Sequence, residues 1–204
     1  MNSTAWHNQD ICRHILATQF PPLRDSAHFK SINACVSRAV GNSVLDIGCC
    51  KAEFAKTFPQ FDYTGADLEH IINHVSKVLQ PNLKYITFDT DQDEYSFINN
   101  YDIIVMNSFL SEIPQSLNVL DKILCNAKAY IVLHRQDIQE SVNTLVEYST
   151  YGGLKAVNSI INRDDFVNSL NRYNWTIEFE TQSFDEGEPI KKTFLLKRGT
   201  NTCL

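Results

Sequence analysis

Between residues 43 and 133 five short apolar runs alternate with segments of helical pattern, and no other feature restricts the fold as much. The runs cover 43–47, 62–66, 83–88, 101–106 and 129–133. Helices are predicted between them over 51–58, 69–79, 93–98 and 116–125; in the last, Leu117, Leu120, Ile123 and Leu124 face one way. Strand and helix in alternation give a parallel sheet with right-handed crossovers. The tail differs. After a helix over 163–173, Trp175, Ile177 and Phe179 alternate with Thr176, Glu178 and Glu180. Asp185 to Pro189 reads as a turn and 192–197 as one more strand, which adds an antiparallel hairpin. The expected fold is α/β: a doubly wound, Rossmann-like sheet of seven strands, mostly parallel, with a C-terminal antiparallel hairpin.

Residues 1–42 read as an N-terminal helical extension to an α/β domain over 43–204. Trp6, Ile11, Ile15 and Leu16 make one apolar stripe that Pro21-Pro22 ends. Ser26 is placed to cap a second helix, with Ile32, Cys35, Val36 and Ala39 inward.

Charge and cysteine usage exclude several classes. A net charge of −6 carries no basic face for a phosphate backbone, so no nucleic-acid partner is expected. No apolar run approaches the roughly 18 residues of a membrane span, and the first residues lack a secretory pattern. Asn2-Ser3-Thr4 fits a glycosylation sequon, with nothing beside it that indicates export. The six cysteines form no CxxC pair and no regular framework. They read as reduced, mostly buried thiols in a cytoplasmic protein.

In an open parallel sheet a ligand sits beyond the carboxyl ends of the strands. The first strand ends in Asp46-Ile-Gly48, followed by Cys49-Cys50-Lys-Ala-Glu53. A dinucleotide loop needs glycines where this chain has Cys50 and Glu53, and no Gly-Lys-Ser/Thr follows for a P-loop. Phosphate cradling is therefore disfavoured. Asp67 ends the second strand, 21 positions after Asp46, where a carboxylate can accept both hydroxyls of a ribose. Asp89 and Thr90 end the third strand, where an acid can take an adenine amino group. Asn107-Ser108-Phe109 ends the fourth. Together they describe a site for an adenosine without phosphates.

The run Val44-Leu-Asp-Ile-Gly-Cys-Cys-Lys-Ala-Glu-Phe54, with Asp67-Leu68, Asp89 and Asn107-Ser-Phe-Leu-Ser-Glu-Ile-Pro114, resembles the class I S-adenosylmethionine-dependent methyltransferases over about 43–134. The resemblance implies S-adenosylmethionine as cofactor. It gives Asp46 and Gly48 the methionine part, Asp67 the ribose and Asp89 the adenine; Cys49, Cys50, Leu68, Thr90, Asn107 and Ser108 complete the cofactor-binding set. The departure is Cys50 and Ala52, where the family commonly has glycine. A Cβ at either place costs on the order of 1 kcal/mol if the backbone needs φ > 0. Three readings of the loop stay open: a cofactor loop, a degenerate loop that leaves only a binding module, and a redox pair. Another resemblance joins His134-Arg135, Tyr151-Gly152-Gly153 and Asn162-Arg-Asp-Asp-Phe-Val167 to small bacterial methyltransferases found with surface-polysaccharide genes. It implies a saccharide or other small-molecule hydroxyl as acceptor.

His134, after the fifth strand, is the candidate general base, with a strand-ending structural histidine as the other reading. His70 and His74 have the i, i+4 spacing of metal ligands, but no third ligand is evident, so they read as a solvated helix face and no metal is expected. Glu112 either reaches substrate or begins a helix. Tyr148 and Tyr151 with Gly152-Gly153 read as a substrate lid or as a packed surface loop. Asp91, Asp93 and Glu94 read as a solvated acidic loop. The oligomeric state is not encoded in any pattern.

Overall fold

The computed structural model describes residues 5–91, 94–184 and 191–200. The expected turn over 185–189, the sequon, Asp93 and Cys203 lie outside the described residues. The five apolar runs form β1 Ser43–Ile47, β2 Asp62–Asp67, β3 Lys84–Thr87, β4 Ile103–Asn107 and β5 Tyr130–Gln139, all parallel in the order β3-β2-β1-β4-β5. The last two strands of the chain, β8 Trp175–Gln182 and β9 Lys191–Arg198, pair antiparallel, and β9 lies against β5. These are the seven strands expected from the sequence. Strand order reverses between β1 and β4, and that switch point opens a crevice above their carboxyl ends.

Two further strands correct the expected count. β6 Thr144–Ser149 and β7 Lys155–Asn162 form an antiparallel hairpin, and β7 pairs in parallel with Ile138 and Gln139 of β5. The loop expected around Tyr148 and Tyr151 is therefore the end of this hairpin. Its strands escape a pattern search because β6 is largely solvated, with Leu145 and Val146 both exposed.

Alternation along the strands divides the core. Leu45, Ile47, Ile104, Met106, Ile131 and Leu133 pack with the helices Ser116–Asn126 and Arg163–Arg172. Val44, Ile103, Val105, Val132 and Leu195 pack with Phe29–Val36 and Glu53–Thr57. Ile32, Cys35 and Val36 thus form part of the sheet's covering layer. Ser26 does not cap that helix; its hydroxyl donates to the Leu23 carbonyl. The helix Ile11–Ala17 packs its Ile11 and Ile15 on Ile71, Val75 and Ala156. The predicted helix over 69–79 is interrupted by a π segment, Ile72–Ser76. Among the described residues no helix is long and apolar enough to cross a membrane.

Past Leu133 the pairing of β5 with β9 slips, and Arg135 has φ +55°. This bulge breaks the strand's alternation and re-aims the Arg135 side chain at the strand's carboxyl end.

Candidate active site

A cavity of about 860 Å³ lies over the carboxyl ends of β1, β2 and β4, at the upper end of the usual range for ligand pockets. Asp46, Gly48, Cys49, Cys50, Asp67, Leu68, Asp89, Thr90, Asn107 and Ser108 all line it. The structure brings the whole expected cofactor-binding set to one place. His134 is the exception.

The β1 loop shows why it needs little side chain. Gly48 has φ +74°, and a Cβ there would lie 2.6 Å from the Phe109 ring. Cys50 and Ala52 also have positive φ, +44° and +53°. The loop thus takes the left-handed conformations that favour glycine, with side chains in place. Asp67 holds it: the Cys50 N–H donates to one carboxylate oxygen at 2.9 Å and the Leu68 N–H to the other at 2.8 Å. From behind, Ser76 Oγ donates to the Cys50 carbonyl at 2.6 Å. Ser76 lies in the π segment, and its side chain is fully buried.

Neither thiol is placed for redox chemistry. A Cβ at Gly65 would meet Cys49 Sγ at 2.8 Å, so this thiol is packed against the sheet. Burial, and then the charges of Asp67 and Asp46, push the Cys49 thiol well above its ordinary range. Burial pushes Cys50 up to about 12. Thiols so held are poor nucleophiles at neutral pH. Cys12, Cys35, Cys49, Cys50 and Cys125 are all free.

Two carboxyls dominate the electrostatics. Asp46 is buried on β1, and the Tyr63 hydroxyl donates to it at 2.9 Å. Burial raises its pKa to about 7; the Tyr63 bond opposes the shift and the Asp67 charge adds to it. Asp67 is raised to about 6 by burial, against the pull of its two backbone donors. Acids desolvated in this way favour a ligand that brings positive charge or hydroxyl donors. Asp89 is more open, with His7 Nε2 at 3.6 Å and the Asp91 N–H donating at 3.0 Å.

The cavity is also lined by Arg135 and His28, to which sequence reasoning gave no role, and by Glu112. Arg135 Nε donates to Asn107 Oδ1 at 2.8 Å. His28 is half-buried. No sequence pattern marks His28, which stands 106 positions from its hydrogen-bond partner, His134. Glu112 ends the short turn Leu110–Glu112 and accepts from both Trp6 Nε1, at 3.2 Å, and the Tyr148 hydroxyl, at 2.5 Å. The N-terminal segment and the β6–β7 hairpin thus meet over the cavity. At the hairpin's end, Gly152 leaves room for His14 where a Cβ would clash at 2.2 Å.

His134 sits behind His28, fully buried and outside the cavity wall. The expectation that it meets substrate directly is corrected by strand alternation, which points it with Val132 toward the helix Phe29–Val36. Both ring nitrogens are engaged, with His28 Nδ1 2.8 Å from Nε2 and Thr193 Oγ1 2.8 Å from Nδ1. The expected solvated face at His70 and His74 is also corrected: His70 Nε2 lies 2.7 Å from the Trp6 carbonyl oxygen, although His74 is exposed. Among the described residues no group of three or more His, Cys, Asp or Glu side chains could hold a metal ion.

Residues 6–179 match a family model described as a methyltransferase domain. An S-adenosylmethionine-dependent methyltransferase from Mesorhizobium loti is 14% identical, with a TM-score of 0.65 over 86% of this chain and 100% of its own. An amino pentose methyltransferase from Micromonospora echinaspora, solved with S-adenosylmethionine, is 10% identical, with a TM-score of 0.63 over 93% and 96%. Magnesium protoporphyrin IX methyltransferase from Synechocystis PCC 6803, solved with S-adenosylhomocysteine, is 13% identical, with a TM-score of 0.63 over 93% and 94%. No curated protein matches the chain in sequence. A family match across most of the chain, on this fold, makes the protein a member of the methyltransferase-domain family, whose cofactor is S-adenosylmethionine.

Proposed function

We propose that the protein transfers a methyl group from S-adenosylmethionine to a hydroxyl of a small molecule or saccharide. The observation that carries this reading is one cavity lined both by the acids Asp46, Asp67 and Asp89 with the tight Gly48 loop and by His28, Arg135 and Glu112. The donor set fits the cofactor. Asp46 and the main chain of Gly48 to Cys50 would hold the methionine part, Asp67 the ribose hydroxyls, and Asp89 with Thr90 the adenine. Leu68, Asn107 and Ser108 would close around it. When bound, the cofactor supplies a methyl group activated by its sulfonium. The protein's task is then to align an acceptor in line and to exclude water, and the Trp6–Glu112–Tyr148 contact over the cavity serves the second.

The rival reading, a binding module with a degenerate loop, is disfavoured by the φ values of Cys50 and Ala52, since the loop keeps its curvature despite their side chains. The neighbours named for an amino pentose and for a porphyrin span unlike acceptors, so a sugar is favoured here only by the second sequence resemblance. Calorimetry with S-adenosylhomocysteine, and thermal shifts with that ligand and with NAD, test the cofactor. No binding of S-adenosylhomocysteine would sink the proposal. A panel of free and nucleotide-linked sugars with labelled methyl donor then tests the acceptor.

A further inference from the structure

We propose that His28 is the general base of methyl transfer, and that His134 and Thr193 are positioning residues that fix its tautomer from inside the protein. The inference rests on the methyltransferase reading and adds the group that takes the acceptor's proton.

The line of contacts sets the proton positions. Thr193 is fully buried, and its hydroxyl donates to Ser31 Oγ at 3.3 Å. Ser31 in turn donates to the carbonyls of His28, at 2.8 Å, and Ser183, at 3.1 Å. With its proton directed at Ser31 and Ser183 Oγ, 2.9 Å away, donating to it, Thr193 Oγ1 keeps a lone pair for His134, so His134 Nδ1 carries the hydrogen across their 2.8 Å contact. His134 Nε2 is then bare and accepts from His28 Nδ1–H, 2.8 Å away. His28 Nε2 is left as the ring's lone pair. The two nitrogens of an imidazole project to opposite sides of the ring. With Nδ1 turned to the buried His134 and His28 in the cavity lining, Nε2 is the nitrogen left to meet an acceptor in the cavity. The Phe184 ring packs edge-on against His28, 5.4 Å between centroids, and limits its rotation.

In the step itself the acceptor's O–H proton passes to His28 Nε2. The acceptor oxygen forms the new bond to the methyl carbon, and the electron pair of the broken C–S bond stays on sulfur. Positive charge thus moves from the sulfonium to the imidazole, and the cavity gains none. Among the described residues, the charge acting on His28 is that of Arg135, and the titratable ring bonded to it is His134, both from β5. Burial first and Arg135 second lower the His28 pKa to about 4, so at neutral pH the ring is neutral and its Nε2 carries no proton in this tautomer.

The first test needs no acceptor. In protein labelled with ¹⁵N-histidine and saturated with S-adenosylhomocysteine at neutral pH, His28 should show a protonated Nδ1 and a bare Nε2, with a through-hydrogen-bond coupling to His134 Nε2. A proton found on His28 Nε2 would overturn the proposal. Thr193→Val should disturb this tautomer signature and Thr193→Ser restore it; an unmoved signature in Thr193→Val would remove the positioning role. Once the sugar panel gives an acceptor, His28→Gln should lower turnover by about 10²–10⁴ while S-adenosylhomocysteine affinity stays within twofold. Turnover near the wild-type value would also overturn it. Failure of the unsubstituted protein to bind S-adenosylhomocysteine would instead count against the methyltransferase reading.

Discussion

Replacing Asp46 by asparagine should stabilise the ligand-free protein, and by more at pH 8 than at pH 5. A carboxyl whose pKa is raised on folding stabilises the fold below its ordinary pKa and loses that contribution as pH rises through the folded value. Asp46 is raised to about 7, chiefly by burial. Against an unfolded value of about 3.9, the whole shift amounts to about 4 kcal/mol. Roughly a third of that is lost by pH 5, and nearly all of it by pH 8. Asparagine does not titrate, so the gap between variant and parent should open by roughly 2–3 kcal/mol across this window. Its amide oxygen can still accept from the Tyr63 hydroxyl, and any change in that bond offsets both pH values equally. In a chain of this size the gap corresponds to about 5–10 °C in Tm. Urea unfolding of both proteins at the two pH values measures it. An equal gap at pH 5 and pH 8 would refute the reasoning, because Asp46 would then ionise as readily in the fold as in the open chain.

Gly48→Ala should abolish S-adenosylhomocysteine binding, since its Cβ would enter the Phe109 ring at a backbone φ of +74°; calorimetry on the folded variant checks this. Cys50→Gly should leave stability within about 1 kcal/mol, relief of the left-handed conformation being offset by backbone entropy and lost packing, and should keep cofactor affinity. Cys49→Ser should likewise keep methyl transfer, and loss of activity with S-adenosylhomocysteine still bound would show that a loop thiol takes part in the chemistry. Asp67→Ala should weaken S-adenosylhomocysteine by roughly 1.5–3 kcal/mol and also lower stability, because two backbone donors lose their acceptor.

The parallel sheet is legible because its strands are covered on both faces: Val44 to Ile47 and Ile103 to Met106 are apolar at nearly every position. The hairpin of β6 and β7 is not, because one side of β6 meets solvent and β7 joins the sheet at only two residues of β5. The acids that line the cavity are legible because a strand's carboxyl end fixes where a side chain emerges. His134 escapes that rule. Alternation along Ile131, Val132 and Leu133 already tells which way it faces, but the bulge at Arg135 decides which side chain reaches the cavity, and a single residue with positive φ has no composition signal. His28 is the harder case: half-buried and far along the chain from His134, it gains its meaning only when the helix Phe29–Val36 lies on β5 and β9.

Glu112 joins Trp6, near one end of the chain, to Tyr148 of the hairpin. That shared carboxylate makes handling of the N-terminus a matter of enzymology. Trimming through Trp6 would take from Glu112 one of the two donors that join it across the cavity, leaving only Tyr148. Lys197 pairs with Tyr130, and the Arg198 N–H donates to the Ala129 carbonyl, so β9 finishes at the sheet edge opposite the cavity. Purification handles, dyes and surface tethers belong there, and discrepant activities between differently tagged preparations of this protein would trace to the roof of the site before its chemistry.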